Sequence, residues 1–478
     1  MVIGDEVMKG LSKLAIVVIV IVVVAIGGGL AYYFLSFVQK PSEAITLVVL
    51  TRHPTDLLNL ARDAFLKSDI AKKYNIVDVQ FQALDAGQWR SYLKSYGADV
   101  GWGGGPSLFD SLFSEGWLKP LSSKDLLDVV KNKIPDQVLG APMKRYGGDG
   151  KIYWVAQALS SFGILVNTKL LRDYGLPEPS DWRDLTSIEF GKVLNTYGSP
   201  PIVIANPIKS TSHLRMYEII LEAYGWDNGW RFLTLLAANS KIIDSASESR
   251  DAVARGEFAA TIAIDYYGYI AMTQNPDCKY IVPVYTIVNG DPIAMFNTTK
   301  HPEAAQAFIL WALTDGQRIL LDKKVNRLPV NPDVWNTPEG QQRQDLKDVY
   351  YKTLSLKPMQ FNDTEVTQYE YSVARYFKAT LIDAHDRLVE VWKKLVDLKI
   401  RGVLTEDKFN NYIETLSAPL KFVDPLTNRE VIFTKDYAKT ISSKMKSDSS
   451  LEQQLMTLWT QKAVERYESI LAELQKLS

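Results

Sequence analysis

The chain has a single cysteine, Cys278, among its 478 residues. One cysteine can form neither an intrachain disulfide nor a cysteine-based zinc site. No cysteine stands directly after the apolar N-terminal segment, so a bacterial lipoprotein anchor is not expected. The formal net charge of −1 gives no bulk attraction to nucleic acid or anionic lipid. The apolar share of 46% and the charged share of 23% are those of a globular protein, and roughly 150 residues per domain predicts two or three domains.

Familiar catalytic motifs are missing as well. The sequence contains no P-loop, no Gly-x-Ser-x-Gly elbow and no His-Glu-x-x-His pair, and its four histidines are far apart. Gly101–Pro106 is not a dinucleotide fingerprint, because Pro106 takes the place of the last glycine. We therefore expect a binding protein without a cofactor and not an enzyme, with an extracellular hydrolase as an open alternative.

The N-terminal segment predicts the cellular location. No charged residue occurs between Lys13 and Lys40. At about 1.5 Å per residue, a helix of this length exceeds a hydrocarbon core of about 30 Å. Lys9 and Lys13 precede it, so the positive-inside rule places the N-terminus in the cytoplasm and the main body outside the cell. Residues 1–40 are thus predicted to be a short tail and a single transmembrane anchor, with a cleaved signal peptide as the alternative.

A second interpretation of the same segment rests on four residues. Lys9-Gly10-Leu11-Ser12, directly before the apolar run, resembles the class III (type IV pilin-like) signal of some archaeal sugar-binding proteins. The resemblance implies an archaeal source, cleavage after Gly10 and retention of the apolar helix. It also leaves a pilin-like surface assembly component open as an alternative function.

Strand-like and helix-like patterns alternate from residue 45 to about residue 345. Apolar runs typical of buried strands include 45–50, 201–205 and 259–264. Further strands are predicted over 280–288 and 293–296. This alternation predicts an α/β fold with a doubly wound sheet. From about residue 346 onward helical periodicity dominates, so residues 346–478 are predicted to be a helical C-terminal extension.

Several segments in a fixed order carry a family resemblance. They are Leu50–Pro54, Gly97–Gly105, Phe162–Leu171, Lys209–Ser212 with Ala223–Trp230, Ile264–Tyr267, and Lys300–Ala305 with Leu328–Val330. Together they resemble the extracellular solute-binding proteins of ABC importers, and within them the class that binds ferric ion, phosphonates or sugar phosphates.

The resemblance implies a two-lobed, periplasmic-binding-protein-like (type II) fold that closes on its ligand by hinge motion. Lobe 1 would comprise residues 45–150 plus about 285–345, and lobe 2 residues 151–284, with crossing strands between them. The implied function is to capture a small solute in the cleft and deliver it to a separate permease. A surface sensor is a further alternative, although few residues would lie inside the cell.

Hydroxyl, glycine and aromatic residues in these segments are the candidate ligand-binding groups. Hydroxyls at a helix start favour an anion, and a glycine run lets backbone N–H groups approach a ligand. N-capping and a tight turn are the structural alternatives. The candidates are Thr51, Arg52, His53, Gly103, Gly104, Gly105, Ser161, Ser210, Thr211, Ser212, Asp265, Tyr266 and Tyr267.

The identity of the solute has two candidates. In the ferric class a tyrosine pair supplies phenolate ligands, so the resemblance implies Tyr266, Tyr267 and His53 as metal ligands if the solute is ferric ion. The position of that class's acidic ligand is Gly104 here. We therefore favour an oxyanion-bearing or polar organic solute and keep ferric ion as the alternative.

Overall fold

The computed structural model describes residues 44–357, 359 and 361–477. The apolar segment between Lys13 and Lys40, with the predicted anchor and the predicted cleavage site after Gly10, lies outside the described residues. Within the described part of the chain, no helix has both the length and the apolar character needed to cross a bilayer.

The strands are numbered in chain order. They are β1 (Ile45–Thr51), β2 (Ile76–Ala83), β3 (Val100–Trp102), β4 (Leu118–Lys119), β5 (Gln137–Val138), β6 (Ala141–Pro142), β7 (Lys144–Tyr146), β8 (Ile152–Asn167), β9 (Ile202–Ala205), β10 (Ser240–Ile243), β11 (Ala260–Ile264), β12 (Cys278–Ile281), β13 (Val288–Phe296), β14 (Leu328–Pro329), β15 (Lys421–Asp424) and β16 (Arg429–Ile432).

The helices are identified by their bounds. The α-helices are Thr55–Lys67, Asp69–Lys73, Trp89–Ser95, Pro106–Ser114, Lys124–Lys133, Thr168–Asp173, Ile188–Tyr197, Thr211–Tyr224, Trp226–Ala238, Ala246–Ala254, Asp265–Gln274, Pro302–Leu313, Pro338–Gln341, Gln344–Leu354, Asp363–Phe377, His385–Ile400, Glu406–Ser417, Lys435–Ser447 and Ser449–Gln475. Short 3₁₀ segments are Ala86–Gln88, Trp182–Thr186, Asp315–Leu321 and Pro332–Asn336, and Lys378–Ile382 is π-helical.

One mixed sheet of twelve strands organises the described residues, with the main path β10-β9-β11-β8-β13-β3-β1-β2. β1 is parallel to β2 and β3, whereas β13 runs antiparallel to β3 and β8. The first part of β8 pairs with β7 and β13, and its last part lies between β11 and β12. β8 and β13 therefore connect the two halves of the sheet.

The sequence explains why β8 continues for 16 residues. No charged residue occurs between Lys151 and Lys169, and β8 is buried along almost its whole length. A strand covered on both faces favours such an uninterrupted uncharged run.

The hydrophobic core is divided in two main parts. One is built around β1–β3 and includes Leu47, Phe65 and Trp311. The other is built around β9 and β11, and it includes Trp230 and the C-terminal Trp459. The helices from Asp363 onward therefore have no separate core, because they bury their apolar faces against the β9–β11 half. Leu346 and Tyr350 of the helix Gln344–Leu354 belong instead to the core around β1–β3.

One local expectation from the sequence was wrong, and a second needs an addition. The predicted strand 280–288 is interrupted, because β12 ends at Ile281 and β13 begins at Val288. Pro283 has no N–H to offer a strand ladder. The extension is also not purely helical, since β15 and β16 form a hairpin. Asn428, with a φ of 51°, makes its turn.

Phe377→Ala tests the shared core. The Phe377 ring is fully buried and stacks on Tyr217 of the β9–β11 half at 4.4 Å between centroids. We expect the free energy of unfolding, measured with urea, to fall by about 3–5 kcal/mol. Val423→Ala, at a position that is 51% exposed, is the control and should change it by less than about 0.5 kcal/mol. A Phe377→Ala value within the control range would contradict the shared core.

Candidate oxyanion-binding site

The loop after β1 carries His53 into the protein interior. The Thr51 hydroxyl accepts a hydrogen bond from the His53 backbone N–H at 3.0 Å. The His53 ring packs edge-on against Trp102, with 4.6 Å between ring centroids. A Cβ atom at Gly103 would lie 2.5 Å from the imidazole. Glycine at position 103 is therefore needed for His53 to occupy this place.

The glycine run after β3 forms a tight strand-to-helix turn. Gly103, Gly104 and Gly105 have positive φ values of 77°, 118° and 85°, which glycine adopts without steric cost. The Gly104 N–H donates to the Asp291 carboxylate at 3.2 Å. Gly105 is the N-cap of the helix Pro106–Ser114. The turn is one of the two roles predicted for this run, and backbone contact with a ligand stays a prediction.

A buried arginine, Arg327, connects the elements around this turn. Its Nη2 lies 2.5 Å from Asp291 Oδ2 and donates to the Ser160 hydroxyl at 3.3 Å. Its Nη1 lies 2.9 Å from His53 Nδ1. Its guanidinium also lies over the Tyr266 ring, 4.6 Å from the centroid. Arg327 thus joins β8, β13, the β1 loop and the helix Asp265–Gln274 at one point.

Arg327 and Asp291 are not among the residues predicted from the sequence. Asp291 is the one charged residue in the run 287–296, and Arg327 directly precedes the buried segment Leu328–Val330. Charged side chains are almost never fully buried unless they are paired. A lone charge inside a strand-like apolar run is the sequence signal that would have found Asp291.

The protonation states follow from burial and from the neighbouring charges. Burial lowers the pKa of His53 to about 3, with the attraction of Asp291 opposing the shift and the repulsion of Arg327 adding to it. The imidazole is therefore neutral at pH 7. Arginine can only donate, so Nδ1 accepts from Arg327 and the ring proton is on Nε2. Burial works to raise the pKa of Asp291, but the charge of Arg327, together with hydrogen bonds from Arg327 and the Gly104 N–H, outweighs it and holds that pKa below its ordinary value.

Four buried nitrogen donors here have no hydrogen-bond partner in the described part of the chain. They are His53 Nε2, Arg327 Nε, Arg52 Nε and Gln157 Nε2, and we call these four side chains the donor cluster. Gln157 is tied to it through Trp102, whose indole N–H donates to Gln157 Oε1 at 3.3 Å. An unsatisfied buried donor costs about 1–3 kcal/mol. A ligand with several acceptor oxygens would remove that cost.

Ser161 and Asp265 pair with each other next to this cluster. The Ser161 backbone N–H and hydroxyl donate to Asp265 Oδ2 at 2.8 and 3.2 Å. Burial raises the pKa of Asp265 to about 7, although hydrogen bonds from Ser161 and Tyr266 and the charge of Arg327 act in the opposite direction. These hydrogen bonds hold the start of the helix Asp265–Gln274 against β8.

The two candidate tyrosines each face an arginine. Tyr266 and Tyr267 lie 4.6 Å apart between ring centroids, with Arg327 over the first ring and Arg250, at 4.8 Å, over the second. Burial raises the pKa of Tyr266 well above its ordinary value, so its phenol is neutral at pH 7. Among the residues that the structure describes, no three or more His, Cys, Asp or Glu side chains are grouped to hold a metal ion.

The hydroxyl run 210–212 lies at the start of the helix Thr211–Tyr224. Ser210 Oγ accepts from the His213 backbone N–H at 3.3 Å and lies 3.2 Å from the Ser212 hydroxyl, whereas Thr211 is exposed. Ser210 is thus the N-cap. No contact found in the described residues joins these hydroxyls to the donor cluster.

The structure therefore gathers only part of the predicted set. Residues 51–53 and 103–105 surround Arg327, and Arg52 is anchored there by Asp85 at 2.5 Å. Tyr266 reaches the same guanidinium, and Tyr267 packs behind it. Ser161 and Asp265 are adjacent but paired with each other, and no hydrogen bond or ion pair in the described residues joins residues 210–212 to the donor cluster.

The comparison with protein families matches residues 56–319 to the model of the bacterial extracellular solute-binding proteins. The chain belongs to this family. The class expected from the sequence, the solute-binding protein of an ABC importer, is thereby confirmed, and with it an α/β fold of the periplasmic-binding-protein type. Membership implies a body outside the cytoplasm, a small solute and a permease as partner.

Individual relatives are distant. The chain is 27% identical over 286 residues to the phosphoglycerate transport regulatory protein PgtC of Salmonella typhimurium, covering 59% of this chain and 67% of that one. Two solved structures share the fold at a TM-score of 0.52 and 18% identity. AfuA from Actinobacillus pleuropneumoniae, with fructose-6-phosphate bound, covers 65% of this chain and 99% of its own length. Iron-bound HitA from Pseudomonas aeruginosa covers 69% and 98%.

Asp265→Asn is expected to change how stability depends on pH. The raised pKa means that the folded state holds this proton more tightly than the unfolded state, so Asp265 lowers the free energy of unfolding progressively as pH rises from about 4 to about 7. The variant lacks this loss. The free energy of unfolding of the variant minus that of the wild type, both measured with urea, should therefore increase from about pH 4 to about pH 7.

The buried histidines also change stability with pH, but they do not affect this comparison. Burial lowers the pKa values of His53 and His213 to about 3, which makes stability rise with pH, but both are present in the two proteins and cancel in the difference. A difference that stays constant between about pH 4 and about pH 7 would show that Asp265 ionises normally in the folded protein.

Proposed function

We propose that this protein captures an oxyanion-bearing organic solute, such as a phosphorylated hydroxy acid or a sugar phosphate, and delivers it to an ABC permease. The observation that carries the proposal is the donor cluster, whose four buried N–H groups have no hydrogen-bond partner among the described residues. Two of its side chains, His53 and Arg52, lie against the glycine turn. Its arginines are balanced by Asp291 and Asp85. The solute's oxygens would therefore be held mainly by hydrogen bonds, which charge on the ligand strengthens.

The named ligands of relatives support the same class of solute. PgtC is named for phosphoglycerate transport, and AfuA was solved with fructose-6-phosphate. Both solutes present a phosphate attached to an oxygen-rich carbon chain. The identities are low, so the donor cluster itself is the main support.

Ferric ion is the second candidate, favoured by the fold shared with iron-bound HitA. The surroundings of Tyr266 weigh against it. Arg327 lies against both the Tyr266 ring and His53, and its positive charge would repel a trivalent cation between them. The raised pKa of the Tyr266 phenol also disfavours a phenolate ligand.

We also propose the domain arrangement expected from the sequence. Residues 45–150 with about 285–345 would form lobe 1, residues 151–284 lobe 2, and residues 346–478 an extension. The divided core supports two lobes, and it places the extension from about Val366 onward against lobe 2. Residues 1–40 would tether the protein to the membrane, with its N-terminus inside. Mass spectrometry of the mature N-terminus tests the tether, and a mature chain starting at Leu11 within filaments would favour the pilin-like alternative.

The wild-type body, residues 41–478, provides the direct test of the solute class. We expect phosphoglycerate or fructose 6-phosphate to raise its melting temperature by mass action, and ferric citrate to give no visible charge-transfer band. A tyrosinate–iron band that is lost in the double variant Tyr266→Phe, Tyr267→Phe would instead identify ferric ion as the solute.

Arg52→Met tests the donor cluster. The change removes one charged donor whose Nε has no hydrogen-bond partner in the described part of the chain. Affinity for the phosphorylated solute, measured by calorimetry, should therefore fall at least about tenfold. The matched control is Arg62→Met, because Arg62 forms a surface ion pair with Asp78 and is half exposed. Equal affinity of the two variants would remove Arg52 from the site.

A further inference from the structure

A second buried arginine, Arg215, joins three separate parts of the chain. It lies on the helix Thr211–Tyr224 and is 6% exposed. Its Nη2 donates to the Ser107 hydroxyl. Its Nη1 lies 3.0 Å from Asp363 Oδ1 and 3.4 Å from Glu218 Oε2. Ser107 belongs to proposed lobe 1, Arg215 to proposed lobe 2, and Asp363 to the C-terminal extension.

The charges meet at this point without well-directed hydrogen bonds. In the described residues, Arg215 Nη1, Asp363 Oδ1 and Glu218 Oε1 are all buried and lack a hydrogen-bond partner. Burial raises the pKa of Glu218 well above its ordinary value, and the Asp363 oxygen is the nearer of the two carboxylate oxygens to Arg215 Nη1. A buried guanidinium N–H without an aligned acceptor is a group that a ligand oxygen can satisfy.

The position of Arg215 connects it to the donor cluster. Ser107 lies two residues after Gly105, in the first turn of the helix that the glycine turn begins. Asp363 lines a cavity of about 380 Å³ together with Val288, Asn289 and Phe361. Asn289 pairs in register with Ser160, whose hydroxyl contacts Arg327.

The cavity wall supplies an apolar surface beside this charge. Leu139, Ile287 and Met359 line it as well, and the Phe361 ring lies 5.0 Å from the Arg215 guanidinium. The volume is within the range of small-molecule sites, about 300–1,000 Å³. A cavity of this size can hold a short carbon chain next to Asp363.

We propose that Arg215 is a second anion-binding group of the cleft, that the solute carries a carboxylate or second phosphate for it, and that Asp363 is a resident carboxylate which the solute displaces. This inference rests on the function proposed above. It gives the C-terminal extension a role, because Asp363 would be a specificity-determining residue supplied from outside the two lobes.

The test compares two probes of equal chain length, 3-phosphoglycerate and glycerol 3-phosphate, which differ by a carboxylate. Arg215→Gln should weaken binding of 3-phosphoglycerate at least about tenfold and leave glycerol 3-phosphate nearly unchanged, since only the former has a group for Arg215. Asp363→Asn should tighten 3-phosphoglycerate binding several-fold, because the competing charge is removed. Arg231→Gln, on the neighbouring helix Trp226–Ala238, is the control.

The outcomes separate this inference from the proposed function. If the wild type binds neither probe nor fructose 6-phosphate, the proposed function fails. If it binds the probes but Arg215→Gln weakens both equally or neither, or if Asp363→Asn does not tighten 3-phosphoglycerate, Arg215 is a structural bridge and this inference is wrong. Should Arg215→Gln not fold, Arg215→Lys keeps the charge without the planar fork, and it should weaken 3-phosphoglycerate selectively but by a smaller factor.

Discussion

The contact among Arg327, Asp291 and His53 is the constraint on which the rest of the site depends. Removing an arginine and a carboxylate from water is costly unless each finds its partner, and here the pair also fixes a neutral imidazole. Arg327 directly precedes β14, Asp291 lies on β13, and His53 lies in the loop after β1. Where they meet, Asp291 accepts a hydrogen bond from the Gly104 N–H of the glycine turn, and several buried N–H groups have no hydrogen-bond partner among the described residues.

The two connecting strands join the halves of the sheet, whereas the C-terminal extension packs mainly on one of them. β8 and β13 connect the two halves of the sheet. Arg327 contacts both strands, through Ser160 on β8 and Asp291 on β13. The extension instead merges with the β9–β11 core through residues such as Phe377 and Trp459. It thickens one half of the molecule and brings Asp363 toward the other half through Arg215.

Local patterns in the sequence predicted the alternating body, the long helices of the tail and the family. They did so because apolar periodicity and ordered short motifs are read from neighbouring residues. The site was recovered in part: His53 and the glycine run were predicted, whereas Arg327 and Gln157 were not. Gln157 lies on β8, and Arg327 directly precedes β14, which pairs with β8. The two residues are more than 150 positions apart, so no local pattern contains their relation. The interrupted strand after Ile281 and the hairpin near Asn428 depended on single turn residues.

The tautomer of His53 tests the central claim most directly. Nitrogen-15 NMR of histidine-labelled protein at pH 7, with His53→Gln to assign the resonance among the four histidines, should show a neutral ring protonated at Nε2. Adding phosphoglycerate should shift that Nε2–H resonance downfield as it gains an acceptor. A protonated imidazolium, or an Nε2–H resonance that phosphoglycerate and fructose 6-phosphate both leave unchanged, would contradict an oxyanion site at the donor cluster.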